Sequence, residues 1–159
     1  INQLNKSDFL SIFGNVFEKT EWISEKVFEL KPFKDFNDLS SKLLDLYENC
    51  HKEKILIIFN SHPELAVAKK MTNESKLEQA GANLNECSVE EFEEFKKLNL
   101  EYKNKFGFPF IIAVKGKNKT EILNNFRQRI LNDVESEFKE AKKQVKKIAT
   151  FRLNEIINQ

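Results

Sequence analysis

The sequence predicts an all-α fold, a compact multi-helix single domain, from its few turn residues and its helical apolar periodicity. Only 4 Gly and 3 Pro occur among 159 residues, whereas β-rich folds need many turn residues of these kinds. Apolar side chains recur at three- and four-residue intervals, the spacing of one helix face. With 40% hydrophobic and 32% charged residues, the chain has both core material and a solvated surface, so we expect one domain over residues 1–159.

Three helices are expected in the first third of the chain. Ser7 is a candidate cap for the first, and Thr20 begins a second that must end near Lys31-Pro32, because a residue before proline is pushed out of the helical region. Asn37 or Asp38 then opens the third. The apolar stripes of the first and third helices are Phe9, Leu10, Phe13, Val16 and Phe17, and Leu39, Leu43, Leu44, Leu46 and Tyr47.

The middle of the chain carries a continuous apolar run at Ile55–Phe59, which fits either a buried strand or the buried turn of a helix. We favour a helix, since only one comparable run exists. Pro63 suits the first position of the next helix, which would leave His62 at the cap with its ring at the edge of the structure. A short helix over Glu74–Ala80 should follow and end at Gly81.

A long helix is the most clearly marked element of the second half. Ser88 and Glu91 form a capping box at its start, and Gly107 ends it. Its expected inward side chains are Phe92, Phe95, Leu98, Tyr102 and Phe106. A second buried stretch follows at Phe108–Val114. Thr120 then caps a further helix, and the last begins near Ser136.

Charge and cysteine content exclude several classes of partner. The 26 basic and 25 acidic residues are interspersed, so no broad positive surface is expected to bind nucleic acid. Cys50 and Cys87 have neither the spacing of a zinc site nor that of a disulfide framework, which fits a reducing compartment. The sequence shows no apolar stretch of about 20 residues and no signal-peptide or peroxisomal pattern. We expect a cytoplasmic protein that does not bind membranes.

Two histidines are the residues that can titrate near neutral pH with ordinary pKa values. His51 lies at the polar end of a helix, where solvent exposure is the simplest interpretation. His62 lies between a buried run and an expected helix start, where free N–H groups favour an anion. It is therefore the candidate acid–base residue, although a purely structural cap would have the same spacing.

Two further polar positions have both a functional and a structural interpretation. Ser75 and Glu78 could be a capping box, or Glu78 could serve a site together with Gln79. Arg152 interrupts the apolar face of the last helix, and its structural interpretation is a surface ion pair with Glu155. No phosphate-binding loop, nucleophile elbow or metal motif is present in the sequence.

Three blocks of sequence carry a resemblance to a known family: His62–Ala66 (HPELA), Ser75–Gly81 (SKLEQAG) and Phe106–Val114 (FGFPFIIAV). Together they resemble the 2-oxo-4-hydroxy-4-carboxy-5-ureidoimidazoline (OHCU) decarboxylases. The segment Val67–Asn73 departs from the family, since it is shorter than usual and lacks the glycine that follows Ala66. Supporting matches lie at Phe13–Glu18, Trp22-Ile23, Glu121–Leu123, Arg129, Asn132-Asp133 and Ile148–Leu153.

The resemblance implies a helical, usually homodimeric enzyme that uses no metal and no organic cofactor and forms S-allantoin from a ureidoimidazoline produced from urate. By motif, His62 matches the proton-transferring histidine, and Glu78 and Arg152 match the other catalytic polar residues. The substrate-contacting positions that it implies are Pro63, Ser75, Lys76, Leu77, Glu78, Gln79, Phe110, Ile111, Ile112, Ala113 and Val114.

These residue types suit the reaction. The substrate's conjugated ring can accept the electron pair that carbon dioxide leaves behind, so no cofactor is needed as a sink. Arg152 would hold the carboxylate, Glu78 and Gln79 the ureido group, and His62 would move a proton. Two alternatives remain: a helical interaction module, which predicts an apolar groove without convergent polar groups, and a ureide hydrolase, which needs a metal or a nucleophile.

Overall fold

The computed structural model describes residues 1–66 and 72–158, which form eight α-helices and contain no strand. The predicted all-helical fold class is confirmed. None of the helices in these ranges is long and apolar enough to cross a membrane. The helices are α1 (Lys6–Phe13), α2 (Glu21–Phe28), α3 (Phe36–Glu48), α4 (Lys52–Asn60), α5 (Asn73–Gly81), α6 (Val89–Phe106), α7 (Lys119–Arg129) and α8 (Val134–Ile157).

Several helices begin earlier than the sequence patterns indicate. Asn5, not Ser7, caps α1, and Asp35, not Asn37 or Asp38, caps α3. In each case the side-chain oxygen accepts a backbone N–H three residues on, at 2.8 Å. Asn and Asp cap helices at least as well as Ser and Thr, so the first capable residue upstream takes the position.

The same rule applies in the C-terminal half. Asn118 replaces Thr120 as the cap of α7, and Asp133 begins α8 upstream of Ser136. The capping box of α6, from Ser88, is confirmed, and α6 ends at Gly107 with φ +82°. That left-handed conformation suits glycine, because a residue with a β-carbon is strained at this φ even though the space around it is open.

The apolar run Ile55–Phe59 lies within α4, so the preference for a helix there is confirmed. The helix expected to start at Pro63 is wrong for the described residues, since the chain over 62–66 forms a non-helical turn. Leu65 and Ala66 enter the core instead, and Ala66 adopts φ +56°. The segment Val67–Asn73 lies outside the described residues except at its last two positions.

Helix α8 is the centre of the fold and packs against α3, α4 and α6. Aromatic side chains fill the space beside it: Phe110 stacks on Phe126 with ring centroids 3.9 Å apart, and Tyr102 meets both rings edge-on. The expectation that Phe92 faces inward from α6 is wrong, because 40% of its surface is exposed. The aromatic cluster holds Phe108–Val114 against the helices.

The buried stretch Phe108–Val114 is non-helical and is anchored by polar side chains from both of the last two helices. Arg129 of α7 donates to the Ile111 carbonyl at 2.7 Å, and Gln144 of α8 accepts the Ala113 N–H at 3.0 Å. Buried backbone polar groups require such partners. The stretch therefore forms a fixed wall beside α5 and α8.

Candidate active site

A buried guanidinium lies at the base of the candidate site, where α5 and α8 meet. The Arg152 side chain is 3% exposed and forms a fork with Glu78: Nε lies 3.0 Å from Oε2, and Nη2 lies 2.9 Å from Oε1. Two parallel charge-assisted bonds of this kind fix both the distance and the plane of the pair. Arg152 is therefore an interior residue of the site.

Three more groups contact the same guanidinium. Nη1 donates to the Asn15 carbonyl at 2.8 Å, Nη2 donates to Ser75 Oγ at 3.0 Å, and Glu18 Oε1 lies 3.2 Å from Nη2. Four of the five N–H groups of Arg152 are thus engaged by the protein. The alternative surface pair with Glu155 is wrong, because the Glu155 carboxylate lies instead 3.5 Å from the Lys115 amine.

Glu18 is a member of this network that the sequence reasoning missed. Its carboxylate is fully buried and accepts bonds from the Thr72 N–H at 3.1 Å and from the hydroxyls of Thr72 and Ser75, both at 2.7 Å. Burial alone would raise the pKa of Glu18, but these hydrogen bonds and the charge of Arg152 outweigh it and hold the pKa below its usual value. The one signal in the sequence was a glutamate directly after the apolar pair Val16 and Phe17.

The pKa of Arg152 is raised by its neighbours. Burial by itself lowers it, but the hydrogen bonds and charges of Glu78 and Glu18 act in the opposite direction and prevail. The Ser75 hydroxyl joins the two halves of the network, since it donates to Glu18 and accepts from Arg152. The capping alternative for Ser75 and Glu78 is wrong, because Thr72 caps α5.

His62 is buried, with 8% of its surface exposed, and does not lie at the edge of the structure as expected. Its Nδ1 lies 2.9 Å from the Ile58 carbonyl at the end of α4, and a carbonyl can only accept, so Nδ1 carries the proton. Nε2 is then the bare nitrogen of a neutral ring. It is buried and has no hydrogen-bond partner among the described residues.

The pKa of His62 is lowered to about 4. Burial is the main cause, because it disfavours the charged imidazolium; the charge of Arg152 lowers the pKa further, while the Ile58 carbonyl and Glu18 oppose the change. At neutral pH this residue is therefore an uncharged proton acceptor. An unpaired buried acceptor of this kind is a marker of a functional site.

His62 lines a small inner pocket of about 30 Å³, which lies next to an outer cleft of about 540 Å³. The two spaces are adjacent, since they share Glu78, Ile112, Val114 and Ile148 as lining residues. The outer volume is in the range of small-molecule sites. The inner pocket is lined by His62, Pro63, Leu65, Ser75, Glu78, Gln79, Phe110, Ile111, Ile112, Val114, Ile148 and Arg152.

Most of the positions implied by the family resemblance line these two spaces. Leu77 and Ala113 line the outer cleft, whereas Lys76 is exposed and lines neither space. The amide of Gln79 is already engaged: its oxygen accepts the Ala66 N–H at 3.1 Å, and its nitrogen donates to the Glu64 carbonyl at 3.3 Å. Gln79 thus holds the turn that carries His62.

Along the 110–114 wall, some backbone N–H and C=O groups have hydrogen-bond partners and others do not. Ile111 and Ala113 bond outward to α7 and α8, as described above. The N–H and C=O of Ile112, between them, have no hydrogen-bond partner among the described residues. Ile112 also lines both pockets, so one backbone donor and one acceptor without protein partners belong to a residue of the pocket wall.

The described ranges hold no group of three or more His, Cys, Asp or Glu side chains that could bind a metal ion. These ranges bring together the neutral imidazole of His62, the Glu78 carboxylate held by Arg152, and the Ile112 N–H and C=O, which have no partner among the described residues. The fold and site therefore define a small helical protein equipped for hydrogen bonding and proton transfer on a polar small molecule. The convergent polar groups argue against the helical interaction module considered from the sequence.

A model of the OHCU decarboxylase family matches residues 2–154, and the chain belongs to this family. The 2-oxo-4-hydroxy-4-carboxy-5-ureidoimidazoline decarboxylase of Haloferax volcanii is 34% identical over 155 residues, covering 98% of this chain and 92% of that protein. The uric acid degradation bifunctional protein of Bacillus sp. (strain TB-90) is 38% identical over 159 residues. The chain spans 32% of that bifunctional relative.

Solved structures share the fold. A crystal structure of OHCU decarboxylase in the presence of (S)-allantoin has a TM-score of 0.76 at 22% identity, over 91% of this chain and 96% of that chain. A crystal structure of (S)-allantoin synthase has a TM-score of 0.75 at 24% identity, over 96% of this chain and 51% of that chain. These two structures show the shared fold, while the family model and the Haloferax relative confirm the family membership expected from the three sequence blocks.

The lowered pKa of His62 makes the stability of the protein depend on pH. Between the ordinary value of 6.5 and about 4, the unfolded chain binds a proton at this ring that the folded chain does not. The free energy of unfolding therefore falls as the pH drops through this window, by about 2 kcal/mol between pH 7 and pH 5. Urea denaturation at pH 7 and pH 5 measures this difference. His62→Gln should lack the part of the pH dependence that His62 contributes. An equal pH dependence in the two proteins would contradict the buried neutral ring.

Proposed function

We propose that this chain catalyses the decarboxylation of 2-oxo-4-hydroxy-4-carboxy-5-ureidoimidazoline to S-allantoin in the breakdown of urate. The observation that carries the proposal is the unpaired Nε2 of neutral His62, at a pocket that also contains the Arg152–Glu78 fork. Family membership supports the same reaction.

The reaction requires little beyond controlled proton movement. As the bond from C4 to the carboxylate breaks, its electron pair forms a C4–C5 double bond and the ring C=N nitrogen takes up a proton. The 4-hydroxyl then loses its proton to become a carbonyl, while C5 gains a proton. The face on which C5 is protonated sets the configuration of allantoin. Carbon dioxide is the leaving group, and no oxidant or reductant is consumed.

His62 suits the proton transfers. Its Nε2 is bare, and the Nδ1 contact to Ile58 fixes the plane of the ring. We assign to Nε2 the removal of the 4-hydroxyl proton and its return to C5 from one side. A positioned base commonly contributes about 10²- to 10⁴-fold to a rate. A ring fixed in a wall can approach C5 from one face alone, which would make the product a single enantiomer.

The ureido group is the natural partner of Glu78 and of the Ile112 backbone. A ureido group presents N–H donors and a carbonyl acceptor, and the pocket offers the Glu78 carboxylate, 22% exposed, as acceptor and the Ile112 N–H and C=O as a donor and an acceptor. Arg152 acts chiefly by holding Glu78, since its fork faces that carboxylate rather than open space. One N–H of Nη1 is left for a substrate oxygen.

Substitution of the two histidines tests the proposal directly. The intermediate is generated from urate with purified upstream enzymes, and S-allantoin is followed by optical activity. His62→Gln should lower kcat/KM by at least about 100-fold, whereas His51→Gln, at an exposed position, should leave it near wild type. Both variants should keep the helical circular dichroism. Full activity in folded His62→Gln would remove this residue from the mechanism.

Replacement of Arg152 by Lys tests whether the site needs the two directed bonds of the planar guanidinium or only its positive charge. Lys keeps the charge but cannot make two parallel bonds to Glu78, so kcat/KM should fall about 10- to 100-fold, the equivalent of roughly 1.5–3 kcal/mol. Arg127→Lys is the matched control, because Arg127 makes the same fork with Glu94 at the surface and should stay near wild type. Equal activities in the two variants would refute the assignment of Arg152.

We propose further that the chain works as a homodimer in the cytoplasm. The support is the family resemblance together with three large apolar side chains, Leu77, Leu100 and Leu131, that are 64–80% exposed, and two free cysteines that suit a reducing compartment. Light scattering after gel filtration should give twice the mass of one chain at micromolar concentration. A monomer mass under those conditions would contradict the dimer.

A further inference from the structure

The loop between α1 and α2 encloses the inner side of Arg152. It contributes the Asn15 carbonyl and the Glu18 carboxylate to the guanidinium. The loop itself is held in place: the Thr20 hydroxyl donates to the Glu18 carbonyl at 2.7 Å, and Lys19 adopts φ +49°. Glu18 therefore sits on fixed backbone beneath the site rather than on a side chain free to reorient.

Two carboxylates share the one guanidinium, and their surroundings differ. The Glu18 side chain is 0% exposed and accepts three further hydrogen bonds, from Thr72 and Ser75. The Glu78 side chain is 22% exposed and lines both the inner pocket and the outer cleft. Glu78 can thus reach a ligand, whereas Glu18 cannot.

This difference matters when a substrate binds. If Glu78 also accepts a ureido N–H, less of its charge is directed at Arg152, and a buried guanidinium that is short of counter-charge is destabilised. Glu18 limits this destabilisation because it remains within 3.2 Å of Nη2. The second carboxylate is therefore the counter-charge that stays with Arg152 when the first is engaged by substrate.

We propose that Glu18 is a positioning residue of the decarboxylation site: it holds the Arg152 guanidinium and the Ser75 hydroxyl in place, so that the Arg152 fork keeps Glu78 in position while Glu78 binds the substrate. The inference rests on the proposed function for the identity of the reaction. The arrangement of Glu18, Ser75 and Arg152 that it uses is a property of the free protein.

The test compares Glu18→Gln with wild type in the full chain. Gln has nearly the shape of Glu but carries no charge. Its amide NH₂ cannot accept a hydrogen bond from the Thr72 and Ser75 donors that face Glu18. We expect kcat to fall about 10- to 100-fold while KM changes little, because misplacement of the catalytic groups acts on the reacting step. Tyr47→Phe is the control for loss of a buried hydrogen bond, since its hydroxyl donates to the Lys142 carbonyl outside the site. It should lower stability and leave kcat near wild type.

A second readout does not depend on activity. The negative charge of Glu18 favours protonation of His62, and Arg152 opposes it. NMR titration of the two histidines should therefore move the His62 midpoint to lower pH in Glu18→Gln, with His51 as the internal reference. If wild type lacks decarboxylase activity but the midpoint moves, the proposed function fails and the electrostatic link between Glu18 and His62 stands.

A second variant keeps the test decisive if Glu18→Gln does not fold. Should Glu18→Gln fail to fold, Glu18→Asp replaces it, because this change keeps the charge but withdraws the carboxylate by one methylene from Arg152 and Ser75. Its kcat should fall by a smaller factor in the same direction. A folded Glu18→Gln or Glu18→Asp with wild-type kcat would overturn the proposal, whatever the position of the His62 midpoint.

Discussion

The burial of one guanidinium is the constraint on which the site depends. Arg152 lies buried in the last two turns of α8, the helix that packs on three others, so its charge must be matched inside the protein. The match comes from two segments far apart in sequence, the loop that carries Glu18 and the helix that carries Glu78. Meeting this requirement brings α1, α5 and α8 together, and the candidate active site is formed where they meet.

A second buried ion pair supports the opposite wall. Arg129 donates from Nε to the Glu137 carboxylate and from Nη1 to the Ile111 carbonyl. Glu137 is fully buried and also accepts the Tyr102 hydroxyl at 2.6 Å. The Phe110 ring lies beneath the guanidinium, 4.4 Å from its carbon. Side chains thus bond the backbone groups of Ile111 and Ala113, while those of Ile112 have no partner in the part of the chain that the structure describes. Both walls of the pocket thus rest on buried arginines.

His62 shows how burial changes the chemistry of an ordinary residue. An exposed imidazole exchanges its proton with water near neutral pH. Here the Ile58 carbonyl selects the tautomer and the apolar surroundings keep the ring neutral. Gln79 holds the turn that carries it, so the direction of Nε2 is set by neighbours of the ring. The outcome is one acceptor nitrogen directed by the fold, as a stereospecific proton transfer requires.

The sequence by itself determined the helical class, the capping box at Ser88 and the family, because periodicity, capping and short motifs are local properties of the chain. It also named His62 and Arg152 as candidates. Only the tertiary structure decided that His62 is buried, that Arg152 is held by Glu78 and not by Glu155, and that a glutamate in the first loop completes the network. The contacts of the Arg152 and Glu18 network join residues 54 to 137 positions apart, and such contacts form only when the helices pack and exclude water from the charges between them.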